Sequence, residues 1–259
     1  MSELLDELEI YWSGRTEGYS EVNQKELQGM QRSAWLRVFE EQFKKVVDNS
    51  DGRDIKSLQI LDIGTGPGFF PRILAEAGYK VTAVDYTAEM LVKAKENAEE
   101  YADGITFRQM DAQNLEFDDE CFDIIISRNL TWNLEKPSQA YREWYRVLKK
   151  DGMILNFDAN WYGYLFDDEK RKAYEQDRKN VEAESLDDHY LCTDIDKMEQ
   201  LALKMPLSPE KRPEWDKEVL LGIGFKQVEA DTMIWKRVWS AEEKLNYGST
   251  PMFMIIAEK

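Results

Sequence analysis

Three glycines stand at alternate positions, Gly64, Gly66 and Gly68, in the run LDIGTGPGFF, with an acid, Asp62, two residues ahead of them. The run reads as a buried strand breaking into a glycine loop and then a helix. Such a loop lets backbone approach a ligand closely, and in a parallel sheet ligands gather beyond the carboxyl ends of the strands. A dinucleotide loop wants G-x-G-x-x-G so that a pyrophosphate rests on the next helix N-terminus, but the position three after Gly66 is Phe69. A Walker-type phosphate loop is excluded, because no Gly-Lys-Ser/Thr follows. Two more acids recur downstream: Asp85 closes YKVTAVD, 17 residues after Gly68, and Asp111 follows FRQM beside Ala112 and Gln113. Each acid also has a local alternative: Asp62 bonding to the loop, Asp85 capping a helix that begins at Thr87, Asp111 serving the turn to Asn114.

The elements that must hold these groups follow from hydrophobic periodicity. Short β-branched runs alternate with helical patterns: strands at 58–63, 80–85, 105–110, 122–127 and 153–158, and helices at 69–77, 88–101 and 137–148, with Asp151-Gly152 as a turn. Right-handed crossovers between such strands build a parallel sheet covered on both faces, so the expected fold is doubly wound α/β. Residues 20–49 repeat apolar positions at helical spacing with a break near Gly29, and 1–50 is read as an N-terminal helical cap. After Asn160 the alternation stops. Residues 161–212 read as a helical lid insertion, followed by a helix from Pro213, strands at 225–231 and 252–258, and a Trp-rich smaller insertion between those strands. The whole, 1–259, is expected to be one domain.

With its acid before G-x-G-x-G, LDIGTGPG resembles motif I of class I S-adenosylmethionine-dependent methyltransferases. The resemblance continues through Asp85, Asp111 and the fourth strand, CFDIIIS, leading into RNLTWNLEKP. It implies a mostly parallel seven-stranded Rossmann-like sheet and S-adenosyl-L-methionine as cofactor. It further implies that Asp85 holds the ribose hydroxyls, as a carboxylate accepting two protons can, and that Asp111 meets the adenine amino group. The cofactor-binding set so implied is Asp62, Gly64, Thr65, Gly66, Gly68, Asp85, Tyr86, Met90, Asp111, Ala112, Gln113, Ser127 and Asn129, with Tyr19 closing over it from the N-terminal segment.

The acceptor pocket is expected from segments the sheet does not use. Tyr11 and Trp12 come from EIYWSGRTEGYS, Trp132 from the turn after strand four, and Trp161 and Tyr162 from NFDANWYGYLF, whose Asn160, Tyr164 and Phe166 are further candidates. Arg15 stands ready for an anionic group. An aromatic lining suits a flat apolar acceptor or a cationic amine. The one histidine, His189, lies in the insertion and could approach the active site as a base, but beside Asp187 and Asp188 it is expected at a helix end on the surface, and no catalytic residue is assigned.

Thirty-four basic against 51 acidic residues give a net charge of −17, which repels phosphate backbones and anionic lipid. The strand-four turn, Ser127-Arg128-Asn129-Leu130, lacks the Asn/Asp-Pro-Pro-aromatic sequence of amino-directed nucleic-acid methyltransferases. Neither nucleic acid nor membrane is therefore expected as a partner, and the acceptor is expected to be a small molecule. Cys121 and Cys192 form no CxxC pair, so neither a disulfide framework nor a metal site is expected. An acidic N-terminus without an apolar stretch points to the cytoplasm. A nicotinamide oxidoreductase, a non-catalytic cofactor sensor and a protein methyltransferase are the competing readings; the sequence leaves the oligomeric state open.

Overall fold

The computed structural model describes residues 3–48, 53–190 and 193–259; Cys192 and the first two and last two residues of the 1–50 cap lie outside them. The helices are α1 (Glu3–Gln28), α2 (Gln31–Asp48), α3 (Phe69–Glu76), α4 (Ala88–Ala98), α5 (Pro137–Val147), α6 (Asp168–Ala183), α7 (Ile195–Ala202), α8 (Glu214–Ile223), α9 (Trp235–Val238) and α10 (Ala241–Asn246). The strands are β1 (Gln59–Ile63), β2 (Lys80–Asp85), β3 (Ile105–Gln109), β4 (Phe122–Arg128), β5 (Leu148–Asp158), β6 (Gln227–Asp231) and β7 (Phe253–Glu258).

The strands form a single seven-stranded sheet in the order β3-β2-β1-β4-β5-β7-β6, parallel except that β7 runs against both β5 and β6. Period-2 alternation sends successive side chains to opposite faces. Ile124 and Ile126 of β4 meet Trp35, Phe39 and Phe43 of α2 and Phe70 of α3, whereas Ile125 meets Tyr141 and Trp144 of α5. From β1 the chain winds outward to β2 and β3, then crosses back to β4 on the other side. The carboxyl ends of β1 and β4 therefore flank the crevice where the winding reverses, the usual seat of a ligand in such sheets.

Two boundaries depart from the sequence reading. β5 begins at Leu148, not 153, because Asp151-Gly152 is a bulge within the strand: Asp151 has φ +60° and the pairing with β4 shifts between Phe122 and Ile124. A Cβ on Gly152 would lie 2.8 Å from the Asp123 carbonyl oxygen, so the bulge requires glycine there. The helix expected to reach residue 101 ends at Ala98 and passes into a 3₁₀ turn over Glu99–Gly104. Thr87 occupies the N-cap of α4 without a side-chain capping bond.

A third apolar cluster lies off the sheet, where Met198, Leu201, Ala202 and Met205 pack with Leu8 of α1, Trp132, Tyr162 and Tyr164. It fastens the 161–212 insertion to α1 and to the turn after β4. Among the described residues, no helix is long and apolar enough to cross a membrane.

Candidate active site

The loop after β1 is shaped by left-handed glycines, with φ of +69° at Gly64, +52° at Gly66 and +89° at Gly68. Its start is hung from β2, since the amides of Gly64 and Thr65 both donate to the Val84 carbonyl at 2.9 and 3.0 Å. Asp85 then spans two loops: Oδ2 accepts from the Gly66 amide at 2.8 Å and Oδ1 from the Thr87 amide at 2.9 Å. Burial raises its pKa, opposed by those amide bonds. The local and ligand-facing readings of this carboxylate are thus compatible, because the amides that fix it leave it on a cavity wall.

That cavity, about 300 Å³, lies over the ends of β1, β2 and β4. Of the expected cofactor set, Tyr19, Gly64, Gly66, Asp85, Tyr86, Met90, Asp111, Ala112, Gln113 and Asn129 line it. Asp111 also serves its own turn, Oδ1 accepting from the amide and side chain of Gln113 at 2.8 and 3.1 Å. The remaining four do not line it. Gly68 faces α4, where an added Cβ would come within 2.8 Å of the Ala94 Cβ; it permits close packing of the loop on that helix. Ser127 is fully buried and donates from Oγ to the Ile63 carbonyl at 3.0 Å, tying β4 to β1. Asp62 and Thr65 border a separate small void of about 20 Å³ shared with Tyr19, Asn23, Gly64 and Arg128. Burial lifts Asp62 to about 7 against the pull of Arg128, and its Oδ2 has no hydrogen-bond partner among the described residues.

All five expected acceptor-side aromatics, Tyr11, Trp12, Trp132, Trp161 and Tyr162, line the main cavity, as does Arg15. Tyr11 and Trp12 stand edge to face at 5.3 Å, and Trp132 and Tyr162 lie tilted at 5.0 Å. The neighbouring candidates do not reach it: Asn160 donates to the Glu210 carbonyl at 2.9 Å, Tyr164 stacks on Tyr174 at 4.1 Å, and Phe166 is exposed.

His189 corrects the expectation of a surface helix end. It sits in an irregular segment before α7, half-buried, and lines the cavity with Tyr190, Thr193, Met198 and Tyr247. Of these only His189 was weighed from the sequence. Tyr247 lay in the Trp-rich stretch taken only as an insertion, and its link to His189 is tertiary.

α1 covers the cavity with residues from Leu5 to Val22. Its buried face is largely polar, and polar contacts hold it down: Ser13 donates to Glu89 at 2.8 Å, Gln24 to Asn97 at 3.0 Å, and Arg128 grips Glu26 through two bonds of 2.7 and 3.0 Å. The Arg128 guanidinium also lies 4.9 Å from the ring centres of Phe69 and Phe70.

Beneath the acceptor-side aromatics lies a buried polar network that sequence reasoning missed. Asp158, at the end of β5, accepts from the Trp132 amide at 2.9 Å and the Trp161 indole at 3.1 Å, and thereby orients two cavity walls. Arg212, wholly buried, donates to Asp158 at 2.9 Å, to both oxygens of Asp216 at 2.9 and 2.8 Å, and to Thr131 at 2.6 Å. Thr131 in turn donates to Asp158, and Tyr141 to Asp216 at 2.6 Å.

A sheet of this order, with a glycine loop after β1 and an acid closing β2, is the arrangement that the resemblance to class I S-adenosylmethionine-dependent methyltransferases implied. Residues 61–156 match the family model described as a methyltransferase domain. The malonyl-[acyl-carrier protein] O-methyltransferase of Pectobacterium atrosepticum is 38% identical over 99 residues, which cover 38% of this chain and 37% of that protein. The phosphatidylethanolamine N-methyltransferase of Cereibacter sphaeroides is 34% identical over 121 residues, covering 44% and 58%. The matched segment therefore spans about a third of the first relative and less than two thirds of the second. Among solved structures, phosphoethanolamine N-methyltransferase 2 of Haemonchus contortus, in complex with phosphomonomethylethanolamine and S-adenosylhomocysteine, superposes with a TM-score of 0.56 at 18% identity, covering 85% of this chain and 53% of that one. That likeness bears on the fold.

Proposed function

We infer that the protein transfers a methyl group from S-adenosyl-L-methionine to a small-molecule acceptor held among the aromatic side chains over the strand ends. The observation that carries this reading is Asp85: a buried carboxylate, fixed by two backbone amides beside the glycine loop, on the wall of the one cavity that also gathers Asp111–Gln113 and the five aromatics. The residues present fit the cofactor. Asp85 suits a ribose diol, Asp111 and Gln113 an adenine edge, and Tyr86 and Met90 the flat faces between. Trp12 Nε1 and Asn129 Oδ1, both on lining residues, are buried without hydrogen-bond partners among the described residues, as expected of groups that await a polar ligand.

Bound there, the cofactor supplies a methyl group activated by a positively charged sulfur. The chain's own part is to orient the acceptor, exclude water and take up any proton the acceptor sheds. α1 roofs the cavity, Trp132 and Trp161 are locked by Asp158, and 161–212 closes the side, so we read 1–50 and 161–212 as caps on a single domain. A roofed cavity and the net charge of −17 favour a small molecule over a protein or nucleic-acid acceptor.

Calorimetric titration with S-adenosylmethionine and S-adenosylhomocysteine tests the reading. Binding that weakens tenfold or more in Asp85→Asn supports it. A wild-type protein that binds neither ligand overturns it.

A further inference from the structure

Two cavity residues from distant parts of the chain are joined in a line that runs to the surface. His189 Nδ1 lies 2.9 Å from the Tyr247 hydroxyl, and Nε2 lies 3.0 Å from Glu242 Oε1. His189 and Tyr247 line the cavity, while the Glu242 side chain is 38% exposed. The line is held from both ends. Asn246, buried at the end of α10, accepts from the His189 amide at 3.0 Å and donates to the Asp187 carbonyl at 3.1 Å. A capping box of Ser240 and Glu243 sets the start of α10, and the Tyr247 amide donates to the Glu243 carbonyl at 2.9 Å, so Glu242 and Tyr247 occupy fixed places on one short helix and its cap. The other charged groups packed here, Arg178 and Asp188, are paired with each other.

We propose that Glu242, His189 and Tyr247 form a proton relay that takes the proton released by the methyl acceptor and delivers it to solvent, so that the acceptor is a molecule bearing an ionisable hydrogen on the attacking atom, an amine or a phenol. The proposal rests on the methyltransferase reading above. A carboxylate at Nε2 keeps the proton on that nitrogen and leaves Nδ1 as an acceptor aimed at the Tyr247 hydroxyl. When the attacking atom forms its new bond to carbon it gives up one proton. Tyr247 Oη receives that proton as its own passes to Nδ1, and the imidazolium so formed stands against Glu242, which opens to water. The methyl–sulfur electron pair stays on sulfur, so charge and atoms balance without a further reagent. Tyr247 stands edge to face with Trp161 at 5.3 Å and with Tyr190 at 5.8 Å, which places the relay in the same aromatic wall as the proposed acceptor site.

Because the chain has one histidine, ring-nitrogen NMR of protein labelled with ¹⁵N-histidine reports this imidazole without further assignment. In the complex with S-adenosylhomocysteine the proton is expected on Nε2 with Nδ1 bare, and Tyr247→Phe should move the Nδ1 resonance while leaving Nε2 protonated. A proton on Nδ1 of the neutral ring overturns the relay. Turnover is then measured against a panel of primary amines and phenols. His189→Gln and Tyr247→Phe should each lower kcat by about 100-fold or more, the range typical of a lost acid-base group, with KM changed by no more than a few-fold. A kcat loss below threefold overturns the relay, as does a protein that binds S-adenosylhomocysteine yet methylates no member of the panel. Failure to bind S-adenosylhomocysteine at all strikes the methyltransferase reading instead, so the two failures are distinct.

Discussion

Replacing Arg212 with leucine should cost the fold about 3–5 kcal/mol at pH 7, the range for removing one partner of a buried ion pair. The guanidinium is fully buried and makes four hydrogen bonds, three of them to the carboxylates of Asp158 and Asp216, which are themselves wholly buried. Its loss leaves two buried acids without a cation, Asp158 held by Thr131, the Trp132 and Ala159 amides and the Trp161 indole, and Asp216 by Tyr141. The variant can relieve this by binding a proton. Protonation removes an uncompensated buried charge, so the penalty should shrink as the pH falls from 7 to 5. Urea unfolding followed by far-UV circular dichroism at both pH values measures the difference. Near-UV circular dichroism should change as well, because Asp158 holds the Trp132 amide and the Trp161 indole. A loss below about 1 kcal/mol, or one equal at the two pH values, would refute the reasoning, since a buried pair that breaks must exceed the first and titrate across the second.

Three further outcomes are expected. Gly68→Ala should destabilise by about 2–4 kcal/mol, combining a left-handed backbone with an overpacked contact at Ala94, and thermal unfolding will show whether the loop yields more cheaply. Asp62 titrates near 7 when folded and near 4 when unfolded, so the folded chain keeps a proton that the unfolded chain releases, and stability falls as pH rises between those values. Asp62→Asn should therefore gain on the wild type from pH 4.5 to pH 7.5; a constant difference in urea midpoint would contradict the assignment. Glu26→Gln strands Arg128 between Phe69 and Phe70, and should speed tryptic cleavage within α1 several-fold; an unchanged cleavage rate would mean that the other polar ties suffice.

How much was readable depended on where each signal lay. β-branched runs separated by helical patterns marked the seven strands and their order along the chain; burial on both faces left the strongest apolar imprint in β1, β4, the end of β5 and β7, whereas the edge strands β3 and β6 are only partly buried. α1 left little imprint: the face it buries carries Thr16, Ser20, Asn23 and Glu26, so apolar periodicity marked only its final third and the helix after it. The early start of β5 was hidden by Lys149-Lys150-Asp151-Gly152, residues that suit a turn and also suit a bulge. At the cavity, Tyr11, Trp12, Trp132, Trp161 and Tyr162 do line the wall, but residue type alone did not separate them from Tyr164 and Phe166 of the same aromatic segments, which point elsewhere. Asp62, Thr65, Gly68 and Ser127 lie off the cavity wall, since spacing along the loop does not tell the front of a turn from its back. His189 and Tyr247 are 58 residues apart, and only folding brings them together. The Arg212 network was invisible for the same reason, its members coming from α5, α8, β5 and the segments between.

Apart from Trp132, the two sides of the cavity are made from different portions of the chain. The strand ends within 61–156 supply Gly64, Gly66, Asp85 and Asp111, whereas α1 and the segments after residue 160 supply Tyr11, Trp12, Trp161, Tyr162, His189 and Tyr247. Substitutions in the latter leave the pairing register of β1 through β4 untouched. Such a partition is favourable ground for divergence: a descendant lineage can exchange roof and side wall piecemeal, acquiring a new chemical clientele, while the inherited floor of the site stays as it was.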